Sequence, residues 1–204
     1  AAGGIVGSAY HQAIVQKCEN EGSVGTPREK IYINAIDFDK LNKNRIMLKD
    51  RNKIALTYKG QTYTYKQILQ YSKIYCDAFS LEKTPEKVLI CSDNSPEWCF
   101  ALYGALRAKA VVVPVDTQST KNEIEYVIND CKPDIVFVSN EKRDFFETIN
   151  VQGAQIITPA DLYIENVDSI KAADIPIGND DDTIFIIYFR LRGNKQFSGS
   201  FILQ

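Results

Sequence analysis

Lys87-Val88-Leu89-Ile90-Cys91, then Ser95-Pro96-Glu97-Trp98, then Val111-Val112-Val113-Pro114, then Thr120-Lys121-Asn122-Glu123, then Asp134-Ile135-Val136-Phe137-Val138: these five segments, in that order, decide the fold. The first, third and fifth are short apolar runs rich in β-branched residues, which is how strands buried on both faces read. The second and fourth are helix starts. Ser95 is placed to cap, Pro96 suits the first helical position, where its missing N–H costs nothing, and Glu97 complements the helix dipole. Thr120 and Glu123 have the spacing of a capping box, and Ile124, Val127, Ile128 and Cys131 continue as one apolar face. Trp98, Ala101, Leu102, Ala105 and Leu106 form the apolar face expected of the first helix, with Trp98 in the core. Strands alternating with helices predict βαβ units, hence an α/β fold with a mostly parallel sheet flanked by helices.

Upstream, Ile54-Ala55-Leu56-Thr57-Tyr58 and Thr62-Tyr63-Thr64-Tyr65 flank the turn signal Lys59-Gly60-Gln61, so a hairpin is expected. Thr64 and Gln67 form another capping box, and Ile68, Ser72, Tyr75 and Phe79 follow at helical spacing. Downstream, Ile156-Ile157 and Thr183 to Ile187 read as further strands. Residues 1–45 carry five glycines and little periodicity, so an irregular leader that packs poorly is expected. Gly3-Gly4-Ile5-Val6-Gly7 follows no strand and lacks the third glycine of a dinucleotide loop.

Composition excludes several classes. Net charge is −2, with 25% charged and 45% hydrophobic residues among 204, values of an ordinary globular protein without the clustered cations that nucleic acid attracts. No apolar run approaches the roughly 20 residues of a membrane span, and the first ten residues do not have the pattern of a signal peptide. The five cysteines, Cys18, Cys76, Cys91, Cys99 and Cys131, show no C-x-x-C spacing, and His11 is the only histidine, so reduced, buried thiols in a cytoplasmic protein are expected. Asn179-Asp180-Asp181-Asp182 reads as a solvated turn before a strand rather than a metal site.

Five segments, in order, resemble the AMP-binding superfamily of adenylate-forming ligases, of the acyl-CoA synthetase type. They are Leu56-Thr57-Tyr58 with Tyr63 to Ile68; Asp93-Asn94-Ser95-Pro96-Glu97-Trp98; Gly104 to Asp116; Glu123 to Asp130; and Asp181 to Tyr188. The resemblance implies a family that uses ATP, magnesium and usually coenzyme A to activate a carboxylic acid, here with a slight lean towards long-chain fatty acids. It implies an incomplete amino-terminal subdomain over 46–188 and a divergent tail over 189–204. Gly104 is expected to allow close helix-to-sheet approach, and Pro114 to end a strand at the sheet's carboxyl edge. Asp116 is expected near a crevice, in a turn or cap role.

There are two departures from the family pattern. Lys109 stands where the family has a glycine, in a turn expected to need positive φ. After Tyr188 the family reads Thr-Ser-Gly-Thr-Thr-Gly-x-Pro-Lys-Gly, whose backbone N–H groups cradle ATP phosphates. This chain instead reads Phe189-Arg190-Leu191-Arg192-Gly193-Asn194-Lys195-Gln196. Arg190, Arg192 and Lys195 attract phosphate but do not rebuild a backbone cradle. The expectation is therefore a truncated ligase fragment, inactive alone, with no catalytic or metal-binding residue and no cofactor assigned to it. The alternative is a non-catalytic α/β interaction or regulatory domain.

Overall fold

In the computed structural model, residues 51–162, 164, 166–175, 182–189 and 199–203 are described. The expected leader, Asp180, Asp181, Arg190, Arg192 and Lys195 lie outside them.

A hairpin opens the described region. Strands β1 (Ile54–Tyr58) and β2 (Gln61–Thr64) pair antiparallel. The two-residue loop holds Lys59 at φ 47° and Gly60 at φ 82°, the pair of left-handed residues that matches strand twist. Thr64 then caps helix α1 (Tyr65–Phe79). Gln67 N–H donates to Thr64 Oγ1 at 3.2 Å, and Thr64 N–H donates to Gln67 Oε1 at 2.9 Å. The expected stripe of Ile68, Ser72, Tyr75 and Phe79 is buried.

The strands β3 (Lys87–Cys91), β4 (Val111–Pro114), β5 (Ile135–Val138), β6 (Gln155–Ile157), β7 (Phe185–Phe189) and β8 (Gly199–Leu203) form one sheet in the order β6-β5-β3-β4-β7-β8. All pairs are parallel except β7–β8. Helices α2 (Pro96–Arg107), α3 (Lys121–Cys131) and α4 (Arg143–Glu147) lie in the crossovers. The parallel sheet agrees with the expectation. The antiparallel edge strand β8 and the short helix α4 were not foreseen.

Strand residues alternate between two cores, as the period of two requires. Val88, Ile90, Val112, Ile135 and Phe137 pack with α1 and α2 on one face. Leu89, Cys91, Val113, Val136 and Val138 pack with Ile124, Val127, Ile128 and Cys131 of α3 and with Phe146 of α4 on the other. Aromatic rings tie the hairpin to the first core. Tyr71 stacks on Phe100 at 4.1 Å, and Tyr63 meets Phe100 edge-on at 5.4 Å.

Three expectations need correction. On α2 the buried residues are Pro96, Phe100, Ala101, Gly104 and Ala105, whereas Trp98, Leu102 and Leu106 are half-buried. The helix meets both α1 and the sheet, so its buried face is centred nearer Phe100 and Gly104 than a single-stripe reading allows. Gly104 makes its close approach to α1, not to the sheet: a Cβ there would lie 2.5 Å from Tyr75 Cβ. Among the thiols, Cys91 and Cys131 are buried, but Cys76 and Cys99 are only half-buried; Cys18 lies outside the described residues.

Lys109 has φ 60°, the left-handed turn for which the glycine was expected. Ala110 N–H still reaches Ala105 O at 3.0 Å, so the helix closes as the turn requires despite the side chain.

Candidate functional site

The chain leaves β3 for β4 through α2 on one face, then leaves β4 for β5 through α3 on the other. Beyond the carboxyl ends of β3 and β4 the connections therefore diverge. Open α/β sheets take ligands at such a reversal.

The residues that meet there come from three loops. Asp93 follows β3, Asp116 and Thr117 follow β4, and Lys142 follows β5. Thr117 Oγ1 donates to Asp93 Oδ1 at 2.8 Å, so the loops after β3 and β4 are joined. Lys142 Nζ donates to the Thr117 carbonyl at 2.7 Å and sits 5.9 Å from the centre of the Phe145 ring. Asp116 Oδ1 accepts from Gln118 N–H at 2.9 Å, and Ser119 N–H donates to Asp116 O at 3.0 Å. Asp116 therefore performs the expected turn role and is exposed.

The nearest candidate nucleophile is Cys91, whose thiol points at the Asp116 carbonyl across 3.9 Å. Burial pushes it up to about 11, against the pull of Lys142. A thiol held that high stays protonated at neutral pH, and only the thiolate attacks.

Beside β4, strand β7 presents Ile186 and Tyr188 to the α3 face. Tyr188 Oη donates to Asp130 Oδ2 at 2.5 Å, and its ring meets Tyr126 edge-on at 6.3 Å. Burial, reinforced by the Asp130 carboxylate, raises the hydroxyl well above the ordinary tyrosine value. Tyr188 is thus a proton-holding anchor that fixes the end of β7 to α3, and it is no base. The basic side chains expected just beyond it lie outside the described residues.

Among the described residues no group of three or more His, Cys, Asp or Glu side chains converges on a point that could hold a metal ion. Lys142 is committed to a carbonyl. The described donor set alone therefore does not fit a magnesium–nucleotide complex. Asp93, Thr117 and Lys142 were not singled out as a site from the sequence. No spacing in the chain joins them, and only the placement of β5 and β4 on either side of β3 in the sheet brings them together. No helix among the described residues is long and apolar enough to cross a membrane.

Residues 45–188 match the sequence profile of the family described as AMP-binding enzyme. A D-alanine–D-alanyl carrier protein ligase from Staphylococcus aureus is 26% identical over 135 residues, which is 66% of this chain and 26% of that protein. A hybrid PKS-NRPS synthetase from Penicillium crustosum is 25% identical over 138 residues, 67% of this chain and 3% of that protein. Among solved structures, ATP-bound MatB from Rhodopseudomonas palustris superposes with a TM-score of 0.64 at 24% identity, over 76% of this chain and 32% of that one. The chain thus spans about a quarter of the carrier-protein ligase and about a third of MatB.

Proposed function

Because the chain belongs to the AMP-binding enzyme family, we propose that residues 46–188 are the amino-terminal scaffold of an ATP-dependent, AMP-forming ligase that joins a carboxylic acid to a thiol, and that this chain does not perform the reaction by itself. Residues 1–45 are then a leader and 189–204 a divergent tail. The observation that carries the reading is the placement of β7. It lies parallel to β4, pinned by Tyr188, and delivers the chain to the carboxyl edge of the sheet. In this family that is the point at which the phosphate loop begins.

The eight residues directly after Tyr188, Phe189 to Gln196, include a single glycine and no serine or threonine, so they supply neither the paired glycines nor the hydroxyls of that loop. Transfer of negative charge onto pyrophosphate needs preorganised donors, and loss of even one such donor typically costs about 100- to 1,000-fold in rate. Losing the whole set takes the reaction to background, although such losses do not simply add. ATP, magnesium and coenzyme A belong to the family's full reaction rather than to the described residues. The acyl substrate is a small-molecule carboxylic acid. A long-chain fatty acid rests on resemblance alone, and the carrier-protein ligase that matches this chain acts, by its name, on D-alanine. Free thiols at Cys76, Cys91, Cys99 and Cys131 suit a reducing cytoplasm.

The test is ATP–pyrophosphate exchange on the purified chain with magnesium and a panel of fatty, aromatic, dicarboxylic and amino acids. We expect no exchange above a no-enzyme control. Exchange that co-elutes with the protein through successive columns overturns the proposal.

A second reading, a non-catalytic α/β interaction or regulatory domain, is favoured by the Asp93–Thr117 bond, which ties together the loops at the point where such sheets take ligands. Absence of exchange combined with retained cooperative unfolding suits that reading as well. Restoring the family's loop after Tyr188 and regaining nucleotide binding would favour the ligase scaffold.

A further inference from the structure

We propose that the cavity at the amino ends of β3, β5 and β6 is a binding site for a free α-amino acid, held by its ammonium on Glu82 and by its carboxylate on Lys132. The site lies at the edge of the sheet opposite the crevice beyond β3 and β4. It stands whether or not the chain is a ligase scaffold.

The cavity has a volume of about 280 Å³ and is built where helices α1 and α3 end. Phe79 closes α1, and Lys132 is the left-handed cap of α3 at φ 49°. Asp134 immediately precedes β5, and Gln155 opens β6. Phe79, Pro85 and Pro133 are buried and give the cavity an apolar floor, while Glu82, Lys132, Gln152 and Gln155 are exposed and give it a polar rim. Sites for drug-sized ligands run from about 300 to 1,000 Å³. A cavity just below that range takes a small metabolite rather than a nucleoside triphosphate.

Four charged side chains line the cavity, and two of them are already matched. Lys83 Nζ pairs with Asp134 Oδ1 at 2.5 Å, and the N–H groups of Glu86 and Lys87 donate to Asp134 Oδ2 at 2.8 and 3.1 Å. The side chains of Glu82 and Lys132 form no ion pair or hydrogen bond among the described residues, nor do those of Gln152 and Gln155. One unmatched charge of each sign, beside two carboxamides that both donate and accept, complements a zwitterion better than a simple anion or cation. Carboxylate on Lys132 and ammonium on Glu82 are charge-assisted hydrogen bonds, the stronger kind. The carbonyl ends of α1 and α3 add a negative potential that favours the ammonium. Exposed charges alone make no site; here a concavity, a buried apolar floor and a pair of opposite unmatched charges coincide.

The test is a titration of the isotope-labelled full chain with glycine, L-alanine and L-valine, followed by backbone amide chemical shifts. Acetate, methylammonium and inorganic phosphate are titrated in parallel. Saturable shifts are expected at Lys132, Gly153 and Gln155 with the amino acids. Acetate and methylammonium are expected to bind about tenfold or more weakly, because each forgoes one charged hydrogen bond. Glu82→Gln and Lys132→Gln are each expected to weaken amino-acid binding by about the same factor. Both positions are exposed, so the fold is retained, and an unchanged amide spectrum elsewhere verifies it. Acetate or phosphate binding as tightly as the amino acids marks a simple anion site and overturns the proposal. So does the absence of saturable shifts at millimolar amino acid, their confinement to the loops after β3 and β4, or unaltered affinity in both variants.

Discussion

Replacement of Gly104 by alanine isolates the contact between α1 and α2. The added Cβ would stand 2.5 Å from Tyr75 Cβ, 3.1 Å from the Cys76 backbone nitrogen and 3.2 Å from the Tyr75 carbonyl carbon. None of these atoms is the tip of a flexible side chain, so no rotamer change relieves the clash. The helices must separate by on the order of 1 Å to reach ordinary carbon–carbon distances. Such a shift loosens Phe100, which is stacked on Tyr71 and edge-on to Tyr75 at 5.9 Å. Overpacking of this kind costs about 1–3 kcal/mol, and contact with rigid atoms places the cost at the upper end. Alanine returns about 1 kcal/mol of helix propensity. The expected net loss is about 2 kcal/mol, or a Tm lowered by about 4–8 °C for a unit of this size. Urea unfolding followed by Trp98 fluorescence and by far-UV circular dichroism measures it. A variant as stable as the wild type, or more stable, refutes the close-packing argument, because propensity alone predicts a gain.

Lys109→Gly should act in the opposite sense. It removes a side chain from φ 60° at an exposed turn, and stabilisation of about 1 kcal/mol is expected in the same urea experiment. An acid titration should reveal Asp134. Burial pushes its carboxyl up, but hydrogen bonds from Lys83, at 2.5 Å, and from the backbone N–H groups of Lys87 and Glu86 outweigh that and hold it below the ordinary carboxylate value. A carboxyl lowered by folding contributes stability that is complete above its unfolded value of about 4 and is lost as pH falls through its folded value. Asp134→Asn should therefore be less stable than the wild type at pH 7 and should show a shallower loss on acidification. Parallel curves for the two proteins below pH 4 would count against this assignment.

Local chemistry made much of this architecture readable. Thr64 with Gln67, Ser95 with Pro96, and Thr120 with Glu123 mark the three long helices, and each mark coincides with a helix start because the capping groups lie within three residues of one another. Buried strands betray themselves equally well, since both faces of β3 and β5 must be apolar. Phe100 was harder to read, because its partners Tyr63 and Tyr71 come from β2 and α1, and packing between elements leaves no periodic trace. The crevice was harder still. Asp93, Thr117 and Lys142 are ordinary loop residues until the crossover from β4 to β5 sets them side by side. The side-chain bonds from Gln70 to Ile170 and from Arg107 to Ala173 were illegible for a related reason, since they join positions about 66 to 100 apart.

The unequal edges of strand β7 bear on how the molecule responds to force. Towards β8 it has five registered pairs, from Phe185↔Leu203 to Phe189↔Gly199. Towards β4 it has a single registered pair, Val112↔Phe185, backed by Val112 N–H to Ile184 O at 2.8 Å. Tension that draws β8 away from the sheet therefore loads the narrow β4–β7 seam and the Tyr188–Asp130 bond together, because the β7–β8 ribbon is the better paired of the two.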